Sequence, residues 1–526
     1  MMNTTLSNGH IAPCAPSTFN LAIFGVDIYS IDTQLISGYD FRAGVTGGVY
    51  PDLPVSDPVS LSFCNVSVSY THPGQGDNIT VTAWLPVNDW NGRMLGVGGG
   101  GWVAGGPNSQ SYALAAGVAS GYASTTTDAG LNLGADASAS GWALVSPGNV
   151  HLYNLQNLAS VSLHDQALIG KSLIADFYAR PPDKSYWNGC SQGGRQGMML
   201  AQRYPTLYDG IVAGAPAITW TAFVMGIFWP QLFMNLAGMY PYPCELDAIT
   251  AAAVSACDGL DGVLDKVISN EYACNFDPFS VVGTEFNCST TNTIKQISHG
   301  AAAVANATWS GPHTTDNQLL WYGPRIGSDL TGGPTRFAAA ATTCDANGCV
   351  GAPLIFGVEW ITLFIEKNPD FNLSAITPEQ YEDIFHAGRQ EFSSMVDTDD
   401  PDLSRFRDNG GKFLSFHGTG DGVIPVQGSQ RYYHRVAQGD PTADNYFRLF
   451  LAPGVSHCIG GPGGTPQTAL DSLVGWVENG TAPRTLPVRF TSDTGTKYSR
   501  FLCPYPLRAR YKPGKNPTLA ASYHCA

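Results

Sequence analysis

Gly189-Cys190-Ser191-Gln192-Gly193 constrains this chain more than any other stretch. A serine between glycines at this spacing fits a sharp turn from a strand into a helix, which lifts the hydroxyl clear of its neighbours. Glycine supplies 60 of the 526 residues, so the pentapeptide alone is as often structural as catalytic. The cysteines sharpen it. Cys190 precedes the serine and Cys458 follows His457, and one bond between them would draw a nucleophile and a base together from distant parts of the chain.

A serine needs a base to take its proton, and the base needs an acid on its far side. His457 is preferred among eleven histidines because the strand-like run Tyr446–Leu451 leads into its loop. The acid is expected between serine and histidine, after the preceding strand. Lys412–His417 followed by Gly418-Thr419-Gly420-Asp421 supplies Asp421 there. His417 is a rival base, but it precedes Asp421 in the same turn and is expected to shape that turn. An oxyanion hole requires two backbone N–H groups. Gln192 gives one, and the loop Gly98-Gly99-Gly100-Gly101, after the strand Arg93–Val97, offers Gly100 or Gly101 as the other. No Lys-Ser/Thr follows that loop, which disfavours a phosphate cradle.

Around these residues, Asn78–Leu85, Arg93–Val97, Gly121–Thr126, Ser185–Asn188 and Gly210–Ala217 read as strands. His164–Tyr178 and Gly194–Tyr204 read as helices, and the strand–helix–strand order predicts a parallel sheet with crossover helices. After Ile218 aromatics crowd Trp220–Tyr242, followed by six cysteines and many turn residues up to about Asp400. The expected architecture is therefore an α/β-hydrolase core split between residues 1–217 and 401–526, with residues 218–400 inserted as a large lid domain.

Composition limits the partners. With 27 basic against 42 acidic residues the net charge is −15, which repels phosphate backbones and argues against nucleic acid. No apolar run approaches the roughly 18 residues of a membrane span. Twelve cysteines without zinc-type CxxC pairs suggest a disulfide framework. Seven sequons (Asn3, Asn65, Asn78, Asn287, Asn306, Asn372, Asn479) add to the expectation of a secreted protein. Met1–Asn20 is polar, so no signal peptide is expected there. Cys257–Cys274 and Cys503–Cys525 are candidate pairs, closing an acidic loop and pinning the C-terminal tail.

That acidic loop carries Asp258, Asp261 and Asp265 within eight residues. Hard oxygen ligands without His or thiolate favour Ca²⁺, with the carbonyls of Val263 and Val267 completing the sphere. The spacing is not that of an EF-hand, and a solvated acidic turn is the alternative.

The chain resembles the tannase/feruloyl esterase family of secreted α/β-hydrolases. The resemblance spans nearly its whole length and rests on Cys190-Ser191, Asp421 and His457-Cys458, with GCSQGGRQG and QRYPTLYDGIVAGAPA. It implies that Cys190 and Cys458 pair, that the triad cleaves aromatic carboxylic esters, and that calcium sits on Asp258, Asp261, Val263, Asp265 and Val267. It implies the oxyanion donors Gln192 and Gly100 or Gly101. The substrates it implies are feruloyl, caffeoyl or p-coumaroyl esters, on plant cell-wall polysaccharide, or galloyl esters of tannins. Some fungal tannases of the family carry a dibasic site in the lid; no Lys-Arg or Arg-Arg pair occurs here, which favours the feruloyl side. Lid aromatics such as Trp220, Phe228, Trp229, Trp360 and Phe364 offer a sandwich for a phenolic ring, although for any one of them a place in the lid core is expected. A serine peptidase could use the same triad. A non-catalytic calcium-dependent carbohydrate binder would leave Ser191, Asp421 and His457 unexplained.

Overall fold

The computed structural model describes residues 11–42, 59–131, 138–333 and 337–526, so the sequon at Asn3 lies outside the described residues. Nine strands form the main sheet: β1 (Asp27–Phe41), β2 (Val59–Thr71), β3 (Ile79–Pro86), β4 (Arg93–Val97), β5 (Ala123–Thr127), β6 (Lys184–Cys190), β7 (Gly210–Gly214), β8 (Lys412–Gly418) and β9 (Phe447–Ala452). Their spatial order is β1-β2-β3-β5-β4-β6-β7-β8-β9. From β5 to β9 every neighbouring pair is parallel, with Cys190 opposite Gly214 and Phe416 opposite Gly214 in register. All six parallel strands therefore end on one edge, where an α/β sheet presents its site.

Helices cover both faces because β-strand side chains alternate between them. Tyr186 packs into the layer under α1 (Pro107–Ala119) and α8 (Ala469–Asn479). Its neighbour Trp187 packs into the opposite layer, under α2 (Ser162–Tyr178), α3 (Gln192–Arg203) and α7 (Val426–Gly439). The antiparallel strands β1 and β2 had no counterpart in the strand reading. β2 does alternate, with Leu61 and Phe63 and then Val66, Val68 and Tyr70 buried, but the phase breaks between Phe63 and Val66. β1 leaves almost every side chain partly exposed, so it carries no clear period.

Between β7 and β8 the chain adds no strand to the main sheet among the described residues. This inserted segment contains α4 (Trp220–Ala237), α5 (Pro243–Cys257) and α6 (Pro378–Val396). It has two apolar clusters. One joins Trp220, Phe228, Trp360 and Phe364 to Trp102 and Trp142 of the preceding part, and the other gathers Met234, Leu246, Ile249 and Trp309. All twelve cysteines are bonded, as Cys14–Cys64, Cys190–Cys458, Cys244–Cys288, Cys257–Cys274, Cys344–Cys349 and Cys503–Cys525. Asn78, Asn287, Asn306, Asn372 and Asn479 are exposed, whereas Asn65 is half-buried in β2, paired to β1 and β3 on either side.

At the end of β2, which the register sets beside the C-terminal end of β5, a buried ionic knot ties β2 to α2. His72 places Nδ1 2.6 Å from Asp77 Oδ2 and Nε2 3.0 Å from Asp165 Oδ2. Tyr70 Oη donates to the same Asp165 oxygen, and Asn157 Nδ2 donates to Asp77. The bond to Asp165, the bond to Asp77 and the fields of both carboxylates outweigh burial and push His72 up to about 9. A folded-state value above the unfolded 6.5 means that this stabilisation is complete below pH 6.5 and is lost as pH rises through 9. The thermal midpoint should accordingly fall between pH 6.5 and 9.5 in the natural protein. His72→Gln should flatten that slope, removing on the order of 2 kcal/mol of pH-dependent stability. Parallel slopes in differential scanning calorimetry would show that His72 is not charged in the fold.

Candidate active site

β6 ends at Cys190, and Ser191 turns the chain into α3 with φ 63° and ψ −122°. Such a left-handed φ is rare for a residue with a side chain and marks strain held by its surroundings. Glycine at 189 and 193 makes the turn possible. A Cβ on Gly189 would lie 2.3 Å from the Gly193 carbonyl oxygen, and one on Gly193 would lie 2.9 Å from that of Gly99. Ser191 is half-buried. Gln192 is the first residue of α3, so its N–H has no carbonyl of its own helix to bond.

The acid and base come from the next strands along the same edge. Asp421 stands three residues after β8, is buried, and accepts the Val423 and Ile424 N–H groups on Oδ1 at 2.8 Å each. Its Oδ2 lies 2.8 Å from His457 Nδ1, in the loop after β9. Burial alone would push the Asp421 carboxyl up. The positive field of His457 and the hydrogen bonds from His417 and His457 outweigh it and hold the group well below the ordinary carboxylate range. A carboxylate can only accept, so His457 carries a proton on Nδ1 and leaves Nε2 for the site. Ser191 Oγ makes no hydrogen bond among the described residues, as is common before substrate arrives. The Cys190–Cys458 bond joins the neighbours of nucleophile and base, with Cα atoms 6.0 Å apart. His417, expected to shape this turn, places Nε2 3.2 Å from Asp421 Oδ2 and 3.0 Å from the Ile424 carbonyl oxygen.

The glycine loop after β4 is latched to the elbow. Gly193 N–H donates to the Gly99 carbonyl at 3.0 Å, Gly98 N–H to Asn188, and Gly99 N–H to the Gln196 side chain. Gly100 faces Val103 as an antiparallel bridge, while Gly101 sits on the turn at φ 58°. Behind the elbow, Arg195 is fully buried. It donates to Gln192 Oε1 at 2.6 Å, to the carbonyls of Leu158 and Ala159 in a π-turn, and to the Val396 carbonyl at the end of α6. Burial pushes its guanidinium down to about 9. Nothing in the sequence period distinguishes Arg195 from a surface arginine of an amphipathic helix.

The aromatics proposed for substrate are distributed otherwise. Trp220, Phe228, Trp360 and Phe364 are each at most 3% exposed and form core with Trp102. Trp229 is partly buried, and its indole N–H donates to Ala307. The rings that reach the site are Phe337 and Phe356. Phe337 lies 5.8 Å from the His457 ring and 6.0 Å from Phe356, whose ring would be met at 2.4 Å by a Cβ on Gly101. Phe337 stands among glycines, threonines and alanines without an apolar period, so only its aromatic character could have drawn notice.

The acidic loop lies apart from the triad. Asp258 and Asp265 are buried, and burial pushes Asp265 and Asp261 up. Asp265 pairs with Arg500, Asp258 accepts the Asp265 N–H, and Asp261 accepts that of Val263. The donor set, three carboxylates against one guanidinium, has the chemistry of a hard-cation site. As folded here the carboxylates do not converge: among the described residues no three His, Cys, Asp or Glu side chains are grouped to hold an ion.

Residues 64–526 match the family described as "Tannase and feruloyl esterase". A probable feruloyl esterase of Arthroderma benhamiae is 41% identical over 94% of this chain and 91% of its own length. A tannase of Aspergillus oryzae is 30% identical over 86% of this chain and 84% of its own. The solved structure of a tannin acyl hydrolase from Aspergillus niger superposes with a TM-score of 0.85 at 28% identity, covering 98% of this chain and 95% of that one. The chain belongs to the tannase and feruloyl esterase family.

Proposed function

We propose that this carboxylic ester hydrolase cleaves hydroxycinnamoyl esters (feruloyl, caffeoyl or p-coumaroyl) through an acyl-enzyme on Ser191. The observation that carries the reading is the Asp421–His457 pair, joined through Cys458–Cys190 to the residue before a strained serine. His457 Nε2 takes the Ser191 proton as Oγ attacks the ester carbonyl, while Asp421 holds the resulting imidazolium. The oxyanion forms against the Gln192 N–H and the N–H of Gly100 or Gly101; the Val103 N–H engages only the Gly100 carbonyl. His457 then protonates the leaving alcohol. Water, deprotonated by the same imidazole, releases the acid and restores Ser191. Phe337 and Phe356 form the aromatic wall beside this centre, and a planar phenolic acyl group suits them.

The feruloyl choice is supported by the 41% identical relative, and the galloyl alternative by the likeness to the Aspergillus niger tannin acyl hydrolase. No helix among the described residues is long and apolar enough to cross a membrane. Six disulfides and exposed sequons support secretion, where esters of plant cell-wall polysaccharide or tannins are met. The acidic loop is proposed to hold Ca²⁺ on Asp258, Asp261 and Asp265 with the carbonyls of Val263 and Val267, Arg500 yielding Asp265. Bound calcium would neutralise buried carboxylates and tie the loop together, and no step of hydrolysis runs through it.

Ser191→Ala should lower kcat on methyl ferulate by at least about a thousandfold. A side-by-side comparison of methyl ferulate, methyl caffeate, chlorogenic acid and methyl gallate should give the highest kcat/KM on a hydroxycinnamoyl ester, and dominance of gallate would overturn that choice. Phe337→Ala should raise KM for these esters several-fold, and an unchanged KM would remove the aromatic wall. Replacing Cys190 and Cys458 by Ala should cost about tenfold or more in kcat, whereas Cys344→Ser with Cys349→Ser should stay within about twofold. Chelation should lower the thermal midpoint, with calcium restoring it. A midpoint indifferent to both would leave the loop a carboxylate–arginine turn.

A further inference from the structure

We propose that His417 is a positioning residue of the catalytic site, holding the Asp421 carboxylate that orients His457, and that Ser429 fixes His417 in the tautomer this requires. The inference rests on reading Ser191, Asp421 and His457 as a hydrolytic triad. His417 lies on β8 and is fully buried. Its Nε2 is 3.0 Å from the Ile424 carbonyl oxygen and 3.2 Å from Asp421 Oδ2. Neither a carbonyl nor a carboxylate oxygen can donate, so Nε2 carries a proton and shares it between them. On the other side, Nδ1 is 2.8 Å from Ser429 Oγ on α7. Ser429 is itself buried, and its hydroxyl can rotate to give its proton to the Nδ1 lone pair. The neutral Nε2–H imidazole thus satisfies every polar atom it buries, without placing a second positive charge beside His457.

Asp421 then accepts four N–H groups: those of Val423 and Ile424 on Oδ1, and those of His457 and His417 on Oδ2. Two of the four are backbone and fix one oxygen. The second oxygen would be held only by the base it must orient, were it not for His417. The titratable groups facing this cluster are Asp421 and His457. α7 contributes the Ser429 hydroxyl, and the ring over His457 is the uncharged Phe337. Sharing Oδ2 has a cost and a benefit. Each N–H draws charge from the oxygen, so His457 meets a weaker acceptor than an unshared carboxylate would be. In return, the imidazole is aimed by a carboxylate that cannot rotate.

Removing the His417 N–H should therefore lower kcat and also move the acid limb of the kcat/KM profile upward, because Oδ2 would belong to His457 alone. Three variants test this: His417→Phe, which removes both nitrogens; His417→Gln, whose amide can restore a donor; and Ser429→Ala. Each is assayed with methyl ferulate across pH and by the rate at which a fluorophosphonate captures Ser191, which does not depend on the ester preferred. His417→Phe should lower kcat and the capture rate about ten- to a hundredfold with KM within about threefold, and raise the acid limb by about half to one pH unit. His417→Gln should recover most of both. Equal losses in the Phe and Gln variants with an unmoved acid limb would reduce His417 to packing, and full activity of His417→Phe would overturn the proposal outright. If His417→Phe does not fold, Ser429→Ala and the ¹⁵N-histidine spectrum of the natural protein decide. An Nε2–H resonance pattern for His417 supports the assignment and an Nδ1–H pattern overturns it. Fluorophosphonate capture that depends on His417 in an enzyme inert to aromatic esters would sink the substrate reading alone. No capture by the natural protein would sink the triad and this proposal together.

Discussion

The Cys190–Cys458 bond is the constraint on which the site's geometry depends. Parallel strands bring the loops after β6, β8 and β9 to one edge, but loops at a sheet edge are the most mobile part of such a fold. The loop carrying His457 is rich in glycine (Gly454, Gly460, Gly461, Gly463, Gly464), with Val455 in the core and Ile459 against the disulfide as its apolar anchors. A covalent link from the residue after His457 to the residue before Ser191 adds to that packing. Ala215 and Ile459 close over the two sulfurs, so the bond is part of the interior rather than an exposed staple.

Much of this was legible because several features have local sequence signatures. The elbow is written in its glycines, whose absent side chains are demanded by the backbone at 193 and 99. β4 has the bounds its apolar run suggested, and β6, β7, β8 and β9 differ from their sequence readings by one to three residues at an end. Their two-sided burial leaves a short continuous apolar run bounded by turn residues. What escaped was long-range. The role of Arg195 depends on carbonyls from residues 158, 159 and 396, which no periodicity reveals. Phe337 and Phe356 meet at His457 only through the fold of the inserted segment, whereas the more conspicuous tryptophans were drawn into its core because burying a large apolar surface is more favourable than lining a cleft. The acidic loop shows the opposite limit: its spacing was plain, yet Arg500, far away in sequence, takes Asp265.

The sheet itself is divided between the two kinds of strand pairing. The loops after the parallel strands carry Ser191, Asp421 and His457, and those strands, covered on both faces, are nearly all buried. The antiparallel strands β1 to β3 carry none of them. β2 and β3 bury apolar side chains of their own, whereas β1 buries almost none; Cys14–Cys64 and the imidazolium knot at His72 add further ties at β2.

Arg195 has a consequence for how substrate reaches Ser191. Its guanidinium bonds the elbow helix, the π-turn at 157–161 and the last turn of α6 at once, and it is fully buried between them. Trp102, next to the glycine loop, is likewise embedded among rings of the inserted segment. The insertion is thus welded to the nucleophile along this side, and swinging it away would expose an unpaired charge and break an aromatic core. Along this side it is a fixed wall. Phe337 beside His457 and Phe356 beside Gly101 are carried by that same anchored segment, so the proposed aromatic wall is held in place with it.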